Sequence, residues 1–285
     1  MPRLADLEIR PLREEDLDAA LRVRTLSFGP LSEGMRSWWE DLNRELIAQD
    51  RAIAVLDGER IVAHARTRPF RQMWGGRLVP MGGVAGVVVD PEYRGRGVAS
   101  AMVLAAAQQA RGHGDVLSAL YPTTLPPYRR AGWEVAGTQT RVTVHGDALR
   151  RVRGGDVRVR RGTPEDAAAI VALLEARRAG ERACGDLVPT AAALAKEIAE
   201  DDDAITYVTA DGYDGYVVYR WAEDELTVYS FEARTPESAR ALWALVGSGA
   251  SVTRRVHIYV RETDVLPYVL DEEAVHDAVV KRWML

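Results

Sequence analysis

Residues 84–101 read Val-Ala-Gly-Val-Val-Val-Asp-Pro-Glu-Tyr-Arg-Gly-Arg-Gly-Val-Ala-Ser-Ala, and they decide the fold. The apolar run 84–89 has the character of a central strand. It enters Asp90-Pro91, after which Arg94, Gly95, Arg96, Gly97, Val98 and Ala99 stand at the head of an Ala-rich helix over 98–111 that closes at Gly112. The first backbone N–H groups of a helix lack intrahelical partners and carry the positive end of its dipole. Glycines at 95 and 97 let a diphosphate approach that backbone without a Cβ in the way, and Arg94 and Arg96 add charge. Dinucleotide folds and nucleotide-triphosphate loops also use glycine-rich turns. Their Gly-x-Gly-x-x-Gly spacing and Gly-Lys-Ser/Thr ending are both absent. A basic turn between strand and helix is the bland alternative.

On either side of this stretch, strand and helix signals alternate. Residues 7–12 alternate like a strand, and Glu14, Glu15 and Asp16 open a helix. Residues 51–56 and 60–66, joined at Asp57-Gly58, predict a hairpin. The stretch 33–48 is helical and 116–121 is a further strand. Around 150–155 comes a basic, glycine-containing connector, and the pattern restarts: 156–161 followed by Gly-Thr-Pro-Glu-Asp, with Thr163 as N-cap and Pro164 at the first helical position. A hairpin over 204–209 and 215–220, strands at 225–231 and 255–260, and a helix at 236–246 complete the second half. The halves look like diverged copies of one α/β unit, 1–150 and 151–285.

With 285 residues, 47% of them hydrophobic and 28% charged, the chain can bury a substantial core. A net charge of -5 and a pI near 5.7 argue against a nucleic-acid binder that neutralises phosphates. A single cysteine, Cys184, excludes an intrachain disulfide and a cysteine metal cage. The five histidines show no metal spacing. The start has no apolar core of a leader and no stretch is long enough to span a bilayer, so a cytoplasmic location is expected.

Arg94-Gly95-Arg96-Gly97-Val98-Ala99 matches the Arg/Gln-x-x-Gly-x-Gly/Ala signature of the GCN5-related N-acetyltransferase (GNAT) superfamily. Pro127-Tyr128-Arg129-Arg130-Ala131-Gly132-Trp133 resembles its Tyr-x-x-x-Gly-aromatic motif. Together with the run from Gly82, these resemble the enhanced-intracellular-survival (Eis-type) enzymes, which carry two tandem GNAT modules. The fold expected is therefore α/β, two tandem modules, each a mixed, twisted sheet flanked by helices. The resemblance implies acetyl-CoA as co-substrate and no metal. Val87, Val88 and Val89 would offer backbone groups to the pantetheine arm. Residues 95–100, including Val98, Ala99 and Ser100, would hold the diphosphate, and Thr123 and Thr124 would lie beside the thioester arm. Strands 84–89 and 116–121 would splay to admit the cofactor.

Acetyl transfer to an amine needs a neutral amine, a polarised carbonyl and a proton for the departing thiolate. Tyr128, just past strand 116–121, is the candidate acid, as its family counterpart is. Trp38 and Trp39 point about 100° apart on their helix, so one of them can line a substrate pocket. Arg68, Phe70 and Trp74 are candidates for the same wall, and Asp16, Glu33, Glu40 and Asp41 could greet a cationic amine. A structural role is favoured for His64, and Cys184 is read as incidental. The second half lacks the loop, and Glu232 would repel a diphosphate. That half is expected to shape the substrate cavity or an oligomer interface. The expected reaction is acetylation of a primary amine (aminoglycoside, lysine or polyamine-like) in a ternary complex, by a homo-oligomer with no nucleic-acid partner. The rivals are a mycothiol-synthase-like enzyme acting on an amino-sugar conjugate and a non-catalytic acyl-CoA sensor. The ending Lys281-Arg282-Trp283-Met284-Leu285 reads like a strand cut in mid-course. The Eis-type resemblance implies that such a strand leads into a third, sterol-carrier-like domain whose terminal carboxylate is the general base, so the expectation is either a truncated form or a family member that has dispensed with that domain. A bare apolar patch is then expected around 279–285.

Overall fold

Strand β2 (Ala52–Asp57) is buried on both faces because its residues alternate between two cores. Ala52, Ala54 and Leu56 face one cluster, with Leu17, Ala20, Val23 and Trp39. Ile53 and Val55 face another, with Val98, Met102 and Ala106. The computed structural model describes residues 4–222, 225–249, 252–261, 266, 270 and 275–285, with backbone alone for 275–280. Two units result: Met1–Phe70 with Val79–Gly137 and Arg282–Leu285, and Arg71–Leu78 with Thr138–Lys281.

In the first unit β1 (Glu8–Pro11) precedes α1 (Leu17–Phe28), α2 (Glu33–Ala48) and β2. Then follow β3 (Arg60–Trp74), β4 (Arg77–Val89), α3 (Val98–Gly112), β5 (Leu117–Ala119) and α4 (Pro126–Arg130). The sheet order is β1-β2-β3-β4-β5. Pairs β1–β2 and β2–β3 are antiparallel and β4–β5 is parallel. Helices α1 and α2 cover one face and α3 the other. Residues 76–81 and 84–89, two segments by sequence pattern, are one strand. It continues β3 through Gly75-Gly76, whose φ values of 56° and 82° suit a tight hairpin turn.

The second unit holds most of β6 (Val135–His145), then α5 (Gly146–Arg150), β7 (Val159–Arg161), α6 (Ala167–Gly180), α7 (Ala191–Glu200) and β8 (Ala204–Thr209). After them come β9 (Gly215–Ala222), β10 (Glu225–Ala233), α8 (Pro236–Ser248), β11 (Arg255–Val260) and β12 (Val275–Met284), in the order β12-β6-β11-β10-β9-β8-β7. The strands β7 to β10 pair as an antiparallel series and β11 joins β10 in parallel, as β5 joins β4. The same helix-entry device recurs. Asp16 accepts from the Arg13 N–H and pairs with Arg10; Asp166 accepts from the Thr163 N–H and pairs with Arg160. The fold is thus tandem α/β, two mixed sheets flanked by helices.

The ending departs from the bare patch expected of it. Met284 is fully buried, exchanges backbone hydrogen bonds with Leu120 and packs with Val103, Tyr128 and Trp133. Trp283 lies on Gly137, where any Cβ would strike the indole. Among the described residues no helix is long and apolar enough to cross a membrane.

Candidate active site in the first unit

Strands β4 and β5 pair only at Met81–Leu117, Gly82–Ser118 and Gly83–Ala119. β4 then continues to Val89, while Leu120 turns to Met284 instead. A wedge therefore opens beyond Gly83, as the resemblance implied. Gly86, at φ 61°, lies within it. On its two sides the facing of side chains shifts: Gly82 and Val84 meet α3 residues, and beyond the glycine Val88 faces α1 and α2.

The loop after β4 is built to leave backbone exposed. Asp90 caps the short turn at Pro91–Tyr93 and is held by Arg22 and Arg60. Arg94 folds back, donating from Nε to the Val89 carbonyl at 3.1 Å and from Nη2 to Ser27 Oγ at 3.3 Å. Its guanidinium thus braces the loop, and the Val89 carbonyl is already engaged. Arg96 lies over the Tyr93 ring. Gly97 is the N-cap of α3 at φ 82° and provides no side-chain cap. A Cβ on Gly95 would meet nothing within 4 Å, and one on Gly97 would find only Leu4, at 3.7 Å. Val98 is core, Ala99 is half-buried, and the Ser100 hydroxyl donates to the Pro127 carbonyl at 3.0 Å. These three residues can therefore offer a diphosphate little beyond their N–H groups. That N-terminus fits an anion. Thr123 and Thr124 are exposed just before α4.

Tyr128 owes its place to the glycine of its motif. Gly132, at φ 102°, lets Trp133 return its N–H to the Tyr128 carbonyl at 3.0 Å while the Gly132 N–H bonds the Arg129 carbonyl at 3.1 Å. This paired closure of a helix end brings with it the contact of Trp133 with Tyr128. The Tyr128 ring is buried, yet its hydroxyl has no hydrogen-bond partner among the described residues and is not sealed from solvent. Burial raises its pKa, so the phenol keeps its proton.

Several candidates fall elsewhere. Trp39 is core, edge-on to His64 at 6.0 Å, so Trp38, half-exposed, is the one of the pair that can meet a substrate. Trp74 belongs with the second unit, while Arg68 lies over Phe70 at 5.1 Å in the first. Asp16, Glu40 and Asp41 are paired with arginines, and Glu33 is exposed in the first turn of α2. His64 is fully buried, its Nε2 is 3.1 Å from the Ala20 carbonyl, and burial lowers its pKa to about 3. Sequence reasoning passed over Asn43, Arg66 and Gly86, which meet beside the wedge; the signal was Arg66 two residues before Arg68 on one strand face. A pocket of about 500 Å³ at the far end of α3, lined by Ala107, Ala110 and Asp115, is remote from Gly97.

In the second unit α8 begins differently. Thr235 accepts from the Ser238 N–H at 3.1 Å, and Pro236 has no N–H to offer. Glu232 is buried among Arg177, Arg178 and Arg261, so its charge is already balanced. The repulsion expected of Glu232 is therefore offset by these arginines, and the helix start is capped by its own Thr235 side chain. Among the described residues no group of His, Cys, Asp and Glu is placed to hold a metal.

Two family models described as acetyltransferase (GNAT) domains match residues 8–136 and 190–285. A solved GCN5-related N-acetyltransferase from Kribbella flavida is 40% identical, with TM-score 0.92 over 98% of this chain and 70% of its own. Eis1 from Mycobacterium abscessus shares the fold at TM-score 0.69 and 21% identity, over 98% of this chain and 73% of its own. An uncharacterized N-acetyltransferase of Streptomyces avermitilis is 30% identical over 176 residues, 60% of this chain and 42% of that relative.

Proposed function

Because the chain belongs to the GCN5-related N-acetyltransferase family, we propose that its first unit binds acetyl-CoA and acetylates a primary amine by direct attack in a ternary complex. The observation that carries this reading is the uncapped glycine start of α3 beside the wedge between β4 and β5. Residues 94–100 would take the diphosphate, Val87 and Val88 the pantetheine arm, and Thr123 and Thr124 the region near the thioester. Bound acetyl-CoA would supply the acyl group: the amine nitrogen bonds the carbonyl carbon, the C–S bond breaks with its electrons on sulfur, and the amine's proton passes to water, from which Tyr128 is reprotonated after each turnover. Tyr128 gives its phenolic proton to that sulfur, which its raised pKa and unengaged hydroxyl suit. Trp38 is the side chain of its pair left to face an acceptor.

The second unit acts without cofactor, since Thr235 and Pro236 close its helix start. This disfavours a mycothiol-synthase-like arrangement, in which the second module carries the working cradle. An Eis-type tandem enzyme, cytoplasmic and oligomeric, is the affiliation the motifs favour. The test is coenzyme A release from acetyl-CoA across a panel of primary amines. Turnover with at least one amine, lost on changing Tyr128, supports the reading; acetyl-CoA binding without turnover on any amine leaves a sensor.

A further inference from the structure

Arg66 is an unusual residue to find on β3. It is 8% exposed, yet no carboxylate among the described residues pairs with it. Its Nη1 donates to Asn43 Oδ1 at 3.2 Å, and its Nε has no partner. Asn43 is itself fixed, because its Nδ2 donates to the Trp39 carbonyl at 2.6 Å. The guanidinium lies against Gly86 of β4, where a Cβ would come within 3.1 Å of its Cζ.

The charge around it is of the same sign. Arg66, Arg68 and Phe70 alternate onto one face of β3, and the Arg68 guanidinium covers the Phe70 ring. That ring occupies the room above Gly83, at 2.5 Å from where a Cβ would stand. Arg24, on α1, donates to the Gly29 carbonyl and lies over Phe28. Neither Arg24 nor Arg68 pairs with a carboxylate among the described residues. Three acids of the same helices pair elsewhere, Asp18 and Glu40 with Arg36 and Asp41 with Arg44, and Glu33 and Glu45 form no ion pair with Arg24, Arg66 or Arg68. Burial, then the nearby Arg68 and Arg24, lowers the Arg66 pKa to about 10. A buried cation facing two others is costly until an anion arrives.

We propose that the acceptor amine carries an oxyanion, carboxylate or phosphate, which seats on Arg66 and Arg68 beside the β4 wedge. Guanidinium forks match both anions bidentately, and Arg66 has no carboxylate partner among the described residues to compete for one. The inference rests on the proposed transfer to an amine and narrows its acceptor, away from a polycationic aminoglycoside. Gly83 and Gly86 then have a stated purpose: they let Phe70 and Arg66 lie flat against β4 and line the acceptor's approach.

The test compares matched acceptors, β-alanine with β-alaninamide and O-phosphoethanolamine with ethanolamine, alongside a neomycin-class aminoglycoside. The anionic member of at least one pair is expected to have the higher kcat/KM, by about 10- to 100-fold, the usual worth of charge-assisted hydrogen bonds. Which pair discriminates identifies the anion. Arg66→Gln and Arg68→Gln should each bring that ratio towards one through KM, Arg66→Lys should restore part of it, and acetyl-CoA affinity should hold. Arg68 is exposed, so its variant decides the matter even where Arg66→Gln fails to fold. Equal or better use of the neutral members or the aminoglycoside overturns the proposal. So does a variant that weakens both members alike, or one that weakens acetyl-CoA binding. If no amine releases coenzyme A, the acetyl-transfer reading fails separately. Calorimetry of inorganic phosphate and acetate against the coenzyme A complex then decides the anion site: binding lost in Arg68→Gln supports it, and no binding overturns it.

Discussion

Tyr128 sits with its ring in the core and its hydroxyl open to solvent, with no partner among the described residues, so the hydroxyl does not hold the core together. Tyr128→Phe should therefore leave stability and acetyl-CoA affinity nearly intact while turnover falls by roughly 10²- to 10⁴-fold, the range for losing a positioned acid. Wild-type turnover in a steady-state assay of that variant would return Tyr128 to packing. His64 makes a different prediction. Its folded pKa, about 3, lies below the ordinary value of 6.5, so the unfolded chain binds the extra proton between these limits. Stability should fall as pH drops from 6.5 towards 3, by at most ~1.4 kcal/mol per pH unit from this one group. Urea midpoints taken across that window should flatten in His64→Gln; an unchanged slope would place the effect elsewhere.

At the scale of elements, the two helix starts carry the contrast between the units. Gly97 leaves the first turn of α3 uncapped at a left-handed φ, whereas Thr235 and Pro236 close α8. Gly97→Val should lower acetyl-CoA affinity at least tenfold by calorimetry. The branched residue at φ 82° should also cost about 1–2 kcal/mol of stability, so a lowered Tm with undiminished binding would move the site. Helix limits were legible because caps and apolar runs mark them: Glu33–Ala48 lies where the pattern put it. The β4 segment was harder. Gly82 and Gly83 look like a break, but they sit in mid-strand where Phe70 and Ala110 take the space of their missing side chains. Trp38 and Trp39 could not be told apart without knowing which side of α2 meets His64. The Arg66 cluster was harder to see because it unites β3, α1 and α2: the Arg66–Arg68 spacing is local, but the approach of Arg24 and Asn43, and the lack of a carboxylate partner for Arg24, Arg66 and Arg68 among the described residues, are not.

For the whole molecule, duplication is written into charge as well as topology. Arg10–Asp16 and Arg160–Asp166 clamp the same turn in each unit. Arginine and backbone N–H bonds hold both carboxylates below their ordinary pKa. A depressed carboxylate stabilises the fold above its unfolded pKa near 4 and loses that contribution as pH falls towards the folded value. Asp16→Asn and Asp166→Asn should each cost roughly 1–2 kcal/mol at pH 7, with the difference from wild type shrinking below pH 4. A difference that stays constant into acid would assign the cost to packing. The recurrence of strand and capped helix was legible in sequence, since strand period and cap residues are local. The wedge was reachable only through the motif's resemblance, because it depends on Leu120 pairing with Met284, far along the chain. The central claim is that one unit is loaded and the other closed, and calorimetric titration with acetyl-CoA tests it most directly. One acetyl-CoA per chain is predicted, weakened at least tenfold by Gly97→Val and untouched by Thr235→Gly; two equivalent sites, or binding undiminished in Gly97→Val, would contradict it.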